Sequence, residues 1–402
     1  MLHRIKHHAK RYKHHIAIST LIIILGLWAF FYINSGCGNP TGGGADGGGV
    51  SSWQVVGNPG FSSAQADHLS LFIYDGIPYV GYVDFPDNPD IYTGEATVMR
   101  FEAGSGKWVP VGDPGFSAGE ADNTTLFIAS PEGTPYVAYR DGEYGDRATV
   151  MKFNGITWEI VGCPGFSEGQ ANGPSLFVAL DGTPYVAYSD YAHSSRITVM
   201  KFNSSLDTWE AVGSPGFSLG VATAASLFIS SEGTPYVAYS DHSNNDKVTV
   251  ERYNGSSWVS VGSLNFSEGQ ALYVSLFIAT PECTPYVAYR DNAHGTKITV
   301  MKYISSLDTW EVVGTPGFSG QAVWGASLFV DNYTPYVAFK DYDNGIKLTV
   351  MKFNGTNWET VGNPGFSSGI PGYISLFVYY GIPYVAYQDT DDNWKVTVVK
   401  YE

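Results

Sequence analysis

The nine residues "GTPYVAYSD" occur twice in this chain, at Gly182 to Asp190 and again at Gly233 to Asp241. Close variants occur in five more places, among them "TPYVAYRD" at Thr134 to Asp141 and again at Thr284 to Asp291. A chain built from copies of one unit folds as a repeat array, and missing the period would misassign the whole fold. The repeated phrase therefore indicates a repeat architecture.

The period is marked by the tryptophan of a "W-x-x-V-G" motif. Successive tryptophans are between 48 and 55 residues apart, from Trp310 to Trp358 at the short end and from Trp53 to Trp108 at the long end. Seven copies account for residues 53–402, which leaves no segment large enough for a second domain. The seven markers are Trp53, Trp108, Trp158, Trp209, Trp258, Trp310 and Trp358.

Each copy is predicted to form four short strands. In the third copy these are "SLFV" (175–178), "PYVAYSD" (184–190), "RITVMKF" (196–202) and "WEAVG" (209–213), joined by segments rich in Asn, Gly, Asp and Ser. Those connecting residues are typical of hairpin turns. The first two strands are apolar on both faces, which is expected of a sheet that packs between two other sheets.

A four-stranded sheet that is apolar on both faces must be covered by its neighbours, and closing the stack into a ring covers every face. The period and the tryptophan pattern resemble the seven-bladed β-propeller repeat families over residues 53–402. The resemblance is to propeller repeat proteins of the bacterial surface or lipoprotein type, whose architecture is similar to that of kelch and WD proteins. The Gly-His and Trp-Asp pairs of WD blades and the double glycine of kelch blades are absent. The resemblance implies an all-β, seven-bladed propeller.

The two ends of the repeat predict how the ring closes. The chain starts with an outermost strand at Trp53 and ends after a third strand, "KVTVVKYE" (395–402), whose own "W-x-x-V-G" is missing. The N-terminal strand is therefore expected to complete the last blade.

The N-terminus has the composition of a targeting segment. A basic stretch precedes 18 uncharged, mostly apolar residues (16–33), just enough to span a bilayer core of about 30 Å. Asn34 to Cys37 resembles a bacterial lipobox, although Asn34 stands where leucine is usual, and the resemblance implies lipidation of Cys37. The alternative is an uncleaved signal anchor. We expect a signal segment (1–36), a Gly-rich tether (37–52) and an exported propeller (53–402) on the periplasmic or cell-surface side.

The charge argues against a nucleic-acid partner. The formal net charge is −16, with 22 Lys and Arg against 38 Asp and Glu, and five of the basic residues precede Cys37. Phosphate binding needs a basic face, which the repeats do not supply. Three cysteines cannot form a disulfide framework, so Cys163 and Cys283 are expected to be small buried residues.

Every repeated phrase ends in an aspartate, and two interpretations are open. A ring of seven carboxylates suggests a cation or sugar site, whereas a Lys or Arg six residues later in six copies predicts cross-strand ion pairs. The first copy differs because its hairpin is longer and acidic. Its oxygen-bearing side chains suggest a calcium site, with a plain solvated loop as the alternative. The calcium candidates are Asp84, Asp87, Asn88, Asp90 and Glu95.

Chemistry is expected where the copies differ. The segments that precede the innermost strand, such as "ADHLS" and "VWGAS", vary from copy to copy, and so does the residue before each repeated aspartate. Both should lie near one mouth of the central channel, where loops on a rigid scaffold commonly bind ligands. Unconstrained loop variation is the alternative. The candidate ligand-binding residues are His68, Asn123, Arg140, Tyr273, Arg290, Trp324, Lys340 and Tyr373.

Motifs of catalysis are not recognised. There is no serine elbow and no His-Glu-x-x-His helix, so we assign no catalytic residues and no cofactor apart from the calcium considered above. The expected function is non-enzymatic recognition of a glycan or a protein by a monomeric, membrane-tethered propeller. The alternatives are a glycan-cleaving enzyme of the sialidase-like propeller type, suggested by the "SSLDTW" turns, and a purely structural scaffold.

Overall fold

The computed structural model describes residues 51–85 and 93–402. They form 28 strands in seven sheets, and each sheet consists of four antiparallel strands. The predicted all-β, seven-bladed propeller is confirmed. The signal segment, Cys37 and most of the tether lie outside the described residues, as do residues 86–92. Within the described ranges, no helix has the length and apolar character needed to cross a bilayer.

The strands follow one another from the innermost to the outermost position of each blade. Blade 1 contains β2 (Ala66–Tyr74), β3 (Ile77–Asp84), β4 (Glu95–Glu102) and β5 (Lys107–Pro110). Blade 2 contains β6 (Ala121–Ala129), β7 (Thr134–Asp141), β8 (Arg147–Phe153) and β9 (Trp158–Ile160). Blade 3 contains β10 (Ala171–Val178), β11 (Pro184–Asp190), β12 (Arg196–Asn203) and β13 (Thr208–Ala211). Blade 4 contains β14 (Ala222–Ile229), β15 (Pro235–Asp241), β16 (Lys247–Tyr253) and β17 (Trp258–Ser260).

The remaining blades repeat the order. Blade 5 contains β18 (Ala271–Ala279), β19 (Thr284–Asp291), β20 (Lys297–Ile304) and β21 (Thr309–Val312). Blade 6 contains β22 (Val323–Asp331), β23 (Thr334–Asp341), β24 (Lys347–Phe353) and β25 (Trp358–Thr360). Blade 7 contains β26 (Pro371–Tyr379), β27 (Ile382–Asp389) and β28 (Lys395–Tyr401), to which β1 (Trp53–Val55) is added. Among the described residues, five short 3₁₀ turns occur between second and third strands, at Gly142–Tyr144, Tyr191–His193, His242–Asn244, Asn292–His294 and Thr390–Asp392.

The ring closes as predicted. Strand β1 pairs antiparallel with β28, with Trp53 opposite Tyr401 and Val55 opposite Val399. The Trp53 indole donates to the carbonyl of Val361 at 2.8 Å and stacks on Phe366 with ring centroids 4.0 Å apart. The two chain ends therefore make the same contacts as a continuous blade.

These contacts recur around the ring and explain the tryptophan period. Trp209 donates to the carbonyl of Val161 in the preceding repeat at 2.9 Å and stacks on Phe166 at 4.1 Å. Each of the seven tryptophans makes an equivalent bond, so every outermost strand is fastened to the preceding repeat. Apolar side chains of the repeated phrase, such as Val186 and Tyr188, are almost fully buried. The phrase is therefore core, as predicted.

The central channel is lined by seven phenylalanines, one from each innermost strand. Neighbouring ring centroids are 4.6 to 5.1 Å apart around the complete circle. The belt separates the mouth, where the innermost strands begin, from the opposite face of the propeller. Its members are Phe72, Phe127, Phe177, Phe228, Phe277, Phe329 and Phe377.

The expected ion pairs of the repeated aspartates are wrong, although the register is right. Asp190 lies directly opposite Arg196, but its buried carboxylate accepts from the backbone N–H of Ala192 at 3.0 Å and from the Thr198 hydroxyl at 2.8 Å. Among the described residues, no ion pair joins these aspartates to the predicted bases. A capping carboxylate accepts the hydrogen bonds of the free backbone N–H groups in a turn and needs no buried cation. The aspartate is therefore a structural residue of the hairpin.

Candidate functional site

The mouth is shaped by a β-bulge in the innermost strands. The segments predicted to be loops before these strands are part of them: β2 starts at Ala66 and β6 at Ala121, and one extra residue interrupts each ladder. The extra residue sits in the left-handed region of backbone space, as residues in such bulges do. A non-glycine residue is strained in this region. The non-glycine bulge residues are His68 (φ 53), Asn123 (φ 53), Tyr273 (φ 54) and Tyr373 (φ 31).

Two clusters of side chains occupy the mouth, and the first lies at blades 7, 1 and 2. His68 and Tyr373 are in ring contact with centroids 4.6 Å apart. His68 Nδ1 lies 3.1 Å from a carboxylate oxygen of Asp122, although not aligned as a hydrogen bond. Asp122 also accepts from the side-chain amide of Asn123 at 2.8 Å and pairs with Arg140 at 3.2 Å. This cluster combines acidic, aromatic and imidazole groups.

The protonation states of this cluster follow from its burial. Burial lowers the pKa of His68, against the raising effect of Asp122 and Asp67, so the imidazole is neutral at neutral pH. Burial, with Asp67 and Asp122 nearby, raises the pKa of Tyr373 to about 12. A neutral imidazole therefore lies beside a phenol that keeps its proton.

The second cluster lies across the mouth, at blades 5 and 6. The Arg290 guanidinium carbon is 5.5 Å from the centre of the Trp324 ring, and Trp324 is 6.1 Å from Tyr273 between ring centroids. Lys340 is directly opposite Trp324 in the β22–β23 ladder, so the two side chains share a face. Trp324 is 48% exposed and Tyr273 38% exposed. This cluster is an open aromatic surface with two cations.

Sequence reasoning missed some residues that belong to the mouth. Asp67 accepts from the Gln388 amide at 2.6 Å and Asp122 links three side chains. The signal was available, because each stands directly before a bulge residue and Asp122 lies opposite the variable Arg140. Pairing the two variable positions across the ladder would have identified Asp122.

The calcium candidates are only partly described. Asp84 and Glu95 are directly opposite each other in the β3–β4 ladder. Asp84 accepts from the Ser63 hydroxyl at 2.5 Å, as Asp389 accepts from the Ser368 hydroxyl at 2.6 Å. Asp87, Asn88 and Asp90 lie outside the described residues. Within the described ranges, no group of three His, Cys, Asp or Glu side chains is arranged to hold a metal ion.

Other polar clusters are local. The His193 and His294 imidazoles contact Asp190 and Asp291 at 2.9 and 2.8 Å, and each points its other nitrogen towards an exposed glutamate at 3.8 and 3.5 Å. The expectation for the cysteines is wrong, because Cys163 is exposed and Cys283 partly exposed. Neither replaces an apolar core position of the repeat.

A cavity of about 510 Å³ lies between blades 5 and 6 on the face opposite the mouth. Its polar residues include Lys302, Lys352 and Glu359, and Lys352 pairs with Glu359 at 3.5 Å. The Tyr336–Lys352 pair that lines it recurs in other blades, as in Tyr185–Lys201. Because its residues are repeated, this cavity belongs to the scaffold.

Comparisons with known proteins support the fold. No protein-family model matches the sequence, and no curated protein does. Among solved structures, the chain is similar to a polysaccharide lyase, an ulvan lyase bound to -[GlcA(1-4)Rha3S]-, with 13% identity, TM-score 0.54 and coverage of 85% of this chain and 95% of that one. It is also similar to polysaccharide lyase Uly1, with 12% identity, TM-score 0.53 and coverage of 90% and 94%. At these identities the likeness concerns the propeller architecture.

Proposed function

We propose that this protein is a glycan-recognition propeller that binds its ligand at the mouth formed by the innermost strands. The observation that carries the proposal is the exposed aromatic surface of Tyr273 and Trp324 beside Arg290. Sugar rings pack on aromatic faces, and a few fixed polar groups then select among them. The structural neighbours that act on polysaccharides are compatible with a glycan ligand.

Recognition without turnover is favoured by the contacts of the carboxylates. Glycoside hydrolysis generally uses two carboxyl groups placed on either side of the scissile bond. Asp122 is engaged by Arg140 and Asn123, and Asp67 by Gln388. A protein ligand is the other binding alternative, and a purely structural scaffold the third. We further propose that the N-terminal segment holds the propeller at the exported face of a membrane, through lipidated Cys37 or an uncleaved anchor.

A glycan array tests this function. The purified full chain is applied beside a Trp324→Ala variant, with Tyr333→Ala as a control because Tyr333 is an exposed aromatic residue on the opposite face, 44% exposed. We expect glycan binding that the Trp324 variant loses and the Tyr333 variant keeps. Binding lost only in the Tyr333 variant would move the site to the cavity between blades 5 and 6. An array without binding would refute the glycan ligand.

Glycan cleavage is a second candidate, favoured by the contact of His68 with Tyr373. A neutral imidazole can accept a proton and the adjacent phenol can donate one, and such pairs perform acid–base catalysis. Elimination of a uronate residue needs a base for the proton next to the carboxylate and an acid for the leaving oxygen. Ultraviolet absorbance from unsaturated products, with His68→Asn and Tyr373→Phe variants compared, separates this activity from binding alone.

A further inference from the structure

Two cations at the mouth, Arg290 and Lys340, form no ion pair within the described part of the chain. Among the described residues, no carboxylate lies within ion-pair distance of Arg290 or Lys340, whereas Arg140 is paired twice. The Nε atom of Arg290 is buried without a hydrogen-bond partner. Both side chains are half-buried, and removing a cation from water without a counter-ion costs free energy. In a chain with a formal charge of −16, carboxylates are plentiful. The lack of partners here therefore calls for an explanation.

The repeat shows where the partners should be. Arg140 pairs with Asp122 opposite it at 3.2 Å and with Asp146 in the following hairpin at 2.8 Å. The residues equivalent to these two aspartates in blade 5 are Leu272 and Thr296. Both counter-ion positions of Arg290 are thus occupied by uncharged residues.

Blade 6 has the same property. The residue opposite Lys340 is Trp324, and the hairpin position equivalent to Asp146 is Ile346. Burial lowers the pKa of Lys340, which reflects an environment that offers this cation no compensating charge. Two neighbouring blades therefore each present a cation beside one exposed tryptophan.

We propose that Arg290 and Lys340 bind an anionic group, a carboxylate or a sulfate, on the sugar that packs against Trp324. This inference rests on the proposed glycan function and specifies the class of glycan. Guanidinium and ammonium groups recognise both anions by charge-assisted hydrogen bonds. The Arg290 guanidinium already contacts the Trp324 ring, with its carbon atom 5.5 Å from the ring centre.

The opposite side of the mouth orients the ligand. Asp67, Asp122 and Asp146 give that side three carboxylates against the single cation of Arg140, and like charges repel. The anionic sugar is therefore directed to blades 5 and 6. The expected ligand is an acidic oligosaccharide.

Calorimetry with matched oligosaccharides tests the proposal. The full chain is titrated with uronate-bearing, sulfated and neutral oligosaccharides of equal length, at low and high salt. Arg290→Met and Lys340→Met are compared with Lys201→Met, which removes the same charge in blade 3 on the side away from the mouth. We expect each mouth variant to lose about tenfold or more in affinity for acidic ligands. The Lys201 variant should bind normally.

The outcomes separate the class of glycan from the function itself. Binding of only the uronate or only the sulfated ligand identifies the anion, and binding of both shows that charge is sufficient. Equal affinity for neutral ligands, unchanged in both mouth variants, overturns the anionic site and leaves glycan recognition standing. Absence of binding by every oligosaccharide overturns both. Circular dichroism of each variant shows that a lost affinity is not a lost fold.

Discussion

Blades 2 and 5 contain the same eight-residue strand, "TPYVAYRD", and place its arginine in two different environments. Arg140 forms ion pairs with Asp122 and Asp146. Arg290 packs over Trp324 and forms no ion pair with a carboxylate of the described residues. The strands themselves are equivalent, with Val137 and Val287 fully buried in both. The difference comes entirely from the neighbouring bulge and hairpin residues.

This comparison separates the scaffold of the propeller from its mouth. Positions that fasten one blade to the next are repeated, because every blade must satisfy the same contacts. Positions around the bulge are free of those contacts, since the ladder is already interrupted there. A common strand can therefore present a neutralised cation in one blade and an available cation in another.

The largest expected effect compares a scaffold tryptophan with a mouth tryptophan. Trp209 is 9% exposed, stacked on Phe166 and hydrogen-bonded to Val161, whereas Trp324 is 48% exposed. Trp209→Ala should lower the free energy of unfolding by about 3–5 kcal/mol. Trp324→Ala should change it by about 0.5 kcal/mol or less while removing ligand binding. Urea denaturation measures both, and similar losses of stability would contradict the separation of scaffold and mouth.

The second effect converts the blade 5 environment into that of blade 2. Leu272→Asp places a carboxylate directly opposite Arg290, as Asp122 lies opposite Arg140. A neutralised arginine should bind an acidic oligosaccharide about tenfold more weakly or worse, since a hydrogen bond between charged groups contributes about 1.5–3 kcal/mol. The Leu272→Asn variant, of similar size without charge, is the control. Equal titration curves for the Asp and Asn variants would show that the free charge of Arg290 is unimportant.

The sequence predicted the scaffold well because the scaffold is what repeats. Trp53, the seven copies and the closing strand follow from counting, and all lie as expected. The capping role of Asp190 was missed, because the ladder register places Arg196 opposite it whether or not the two side chains form an ion pair. Sequence spacing gives the position opposite a residue but not the atoms its side chain reaches.

The mouth was predicted less completely. Variation among the copies predicted its location. In the structure, His68 contacts Tyr373 in one cluster, and Arg290 contacts Trp324 in the other. The bulge was not predicted, because glycine is its usual sign and several copies carry a larger residue there, such as Tyr273.

A smaller effect concerns a third environment of the same strand, in blade 4. The Tyr139 and Tyr289 hydroxyls of blades 2 and 5 lie 3.4 and 3.3 Å from methionine sulfurs, whereas Tyr239 donates to the Glu251 carboxylate at 2.7 Å. Burial raises the pKa of Glu251 above its ordinary value of 4.5, with Asp241 adding to the rise and Tyr239 opposing it. The folded state therefore binds this proton more tightly than the unfolded state.

Glu251→Met should consequently stabilise the protein in a pH-dependent way. Stability contributed by the protonated carboxyl is present below pH 4.5 and is lost as the pH rises through the raised pKa of the folded state. The methionine variant should therefore gain about 1–2 kcal/mol at pH 8, and less at pH 4. The exposed Glu159→Met variant is the control. A gain that is equal at both pH values would exclude desolvation of Glu251 as the cause.

The smallest expected effect concerns the backbone strain of the bulge residues at the mouth. Tyr273 occupies the bulge with φ 54, where the equivalent residues of blades 3 and 6 are Gly173 and Gly325. Tyr273→Gly and Tyr273→Ala lose the same ring, so their difference in stability reports the backbone strain. We expect the glycine variant to be more stable by about 1 kcal/mol, as measured by urea denaturation.

At the neighbouring position, the alanine variant should be more stable than the glycine variant if the backbone strain is confined to the bulge residue. Leu272 lies in the regular ladder opposite Arg290, so Leu272→Ala should be more stable than Leu272→Gly by about 0.5–1 kcal/mol. If the order of stability of the glycine and alanine variants is opposite at these two adjacent positions, Tyr273 occupies a strained site in blade 5 where glycine would give a more stable fold. The same order at both positions would mean that the bulge accepts a non-glycine residue without strain.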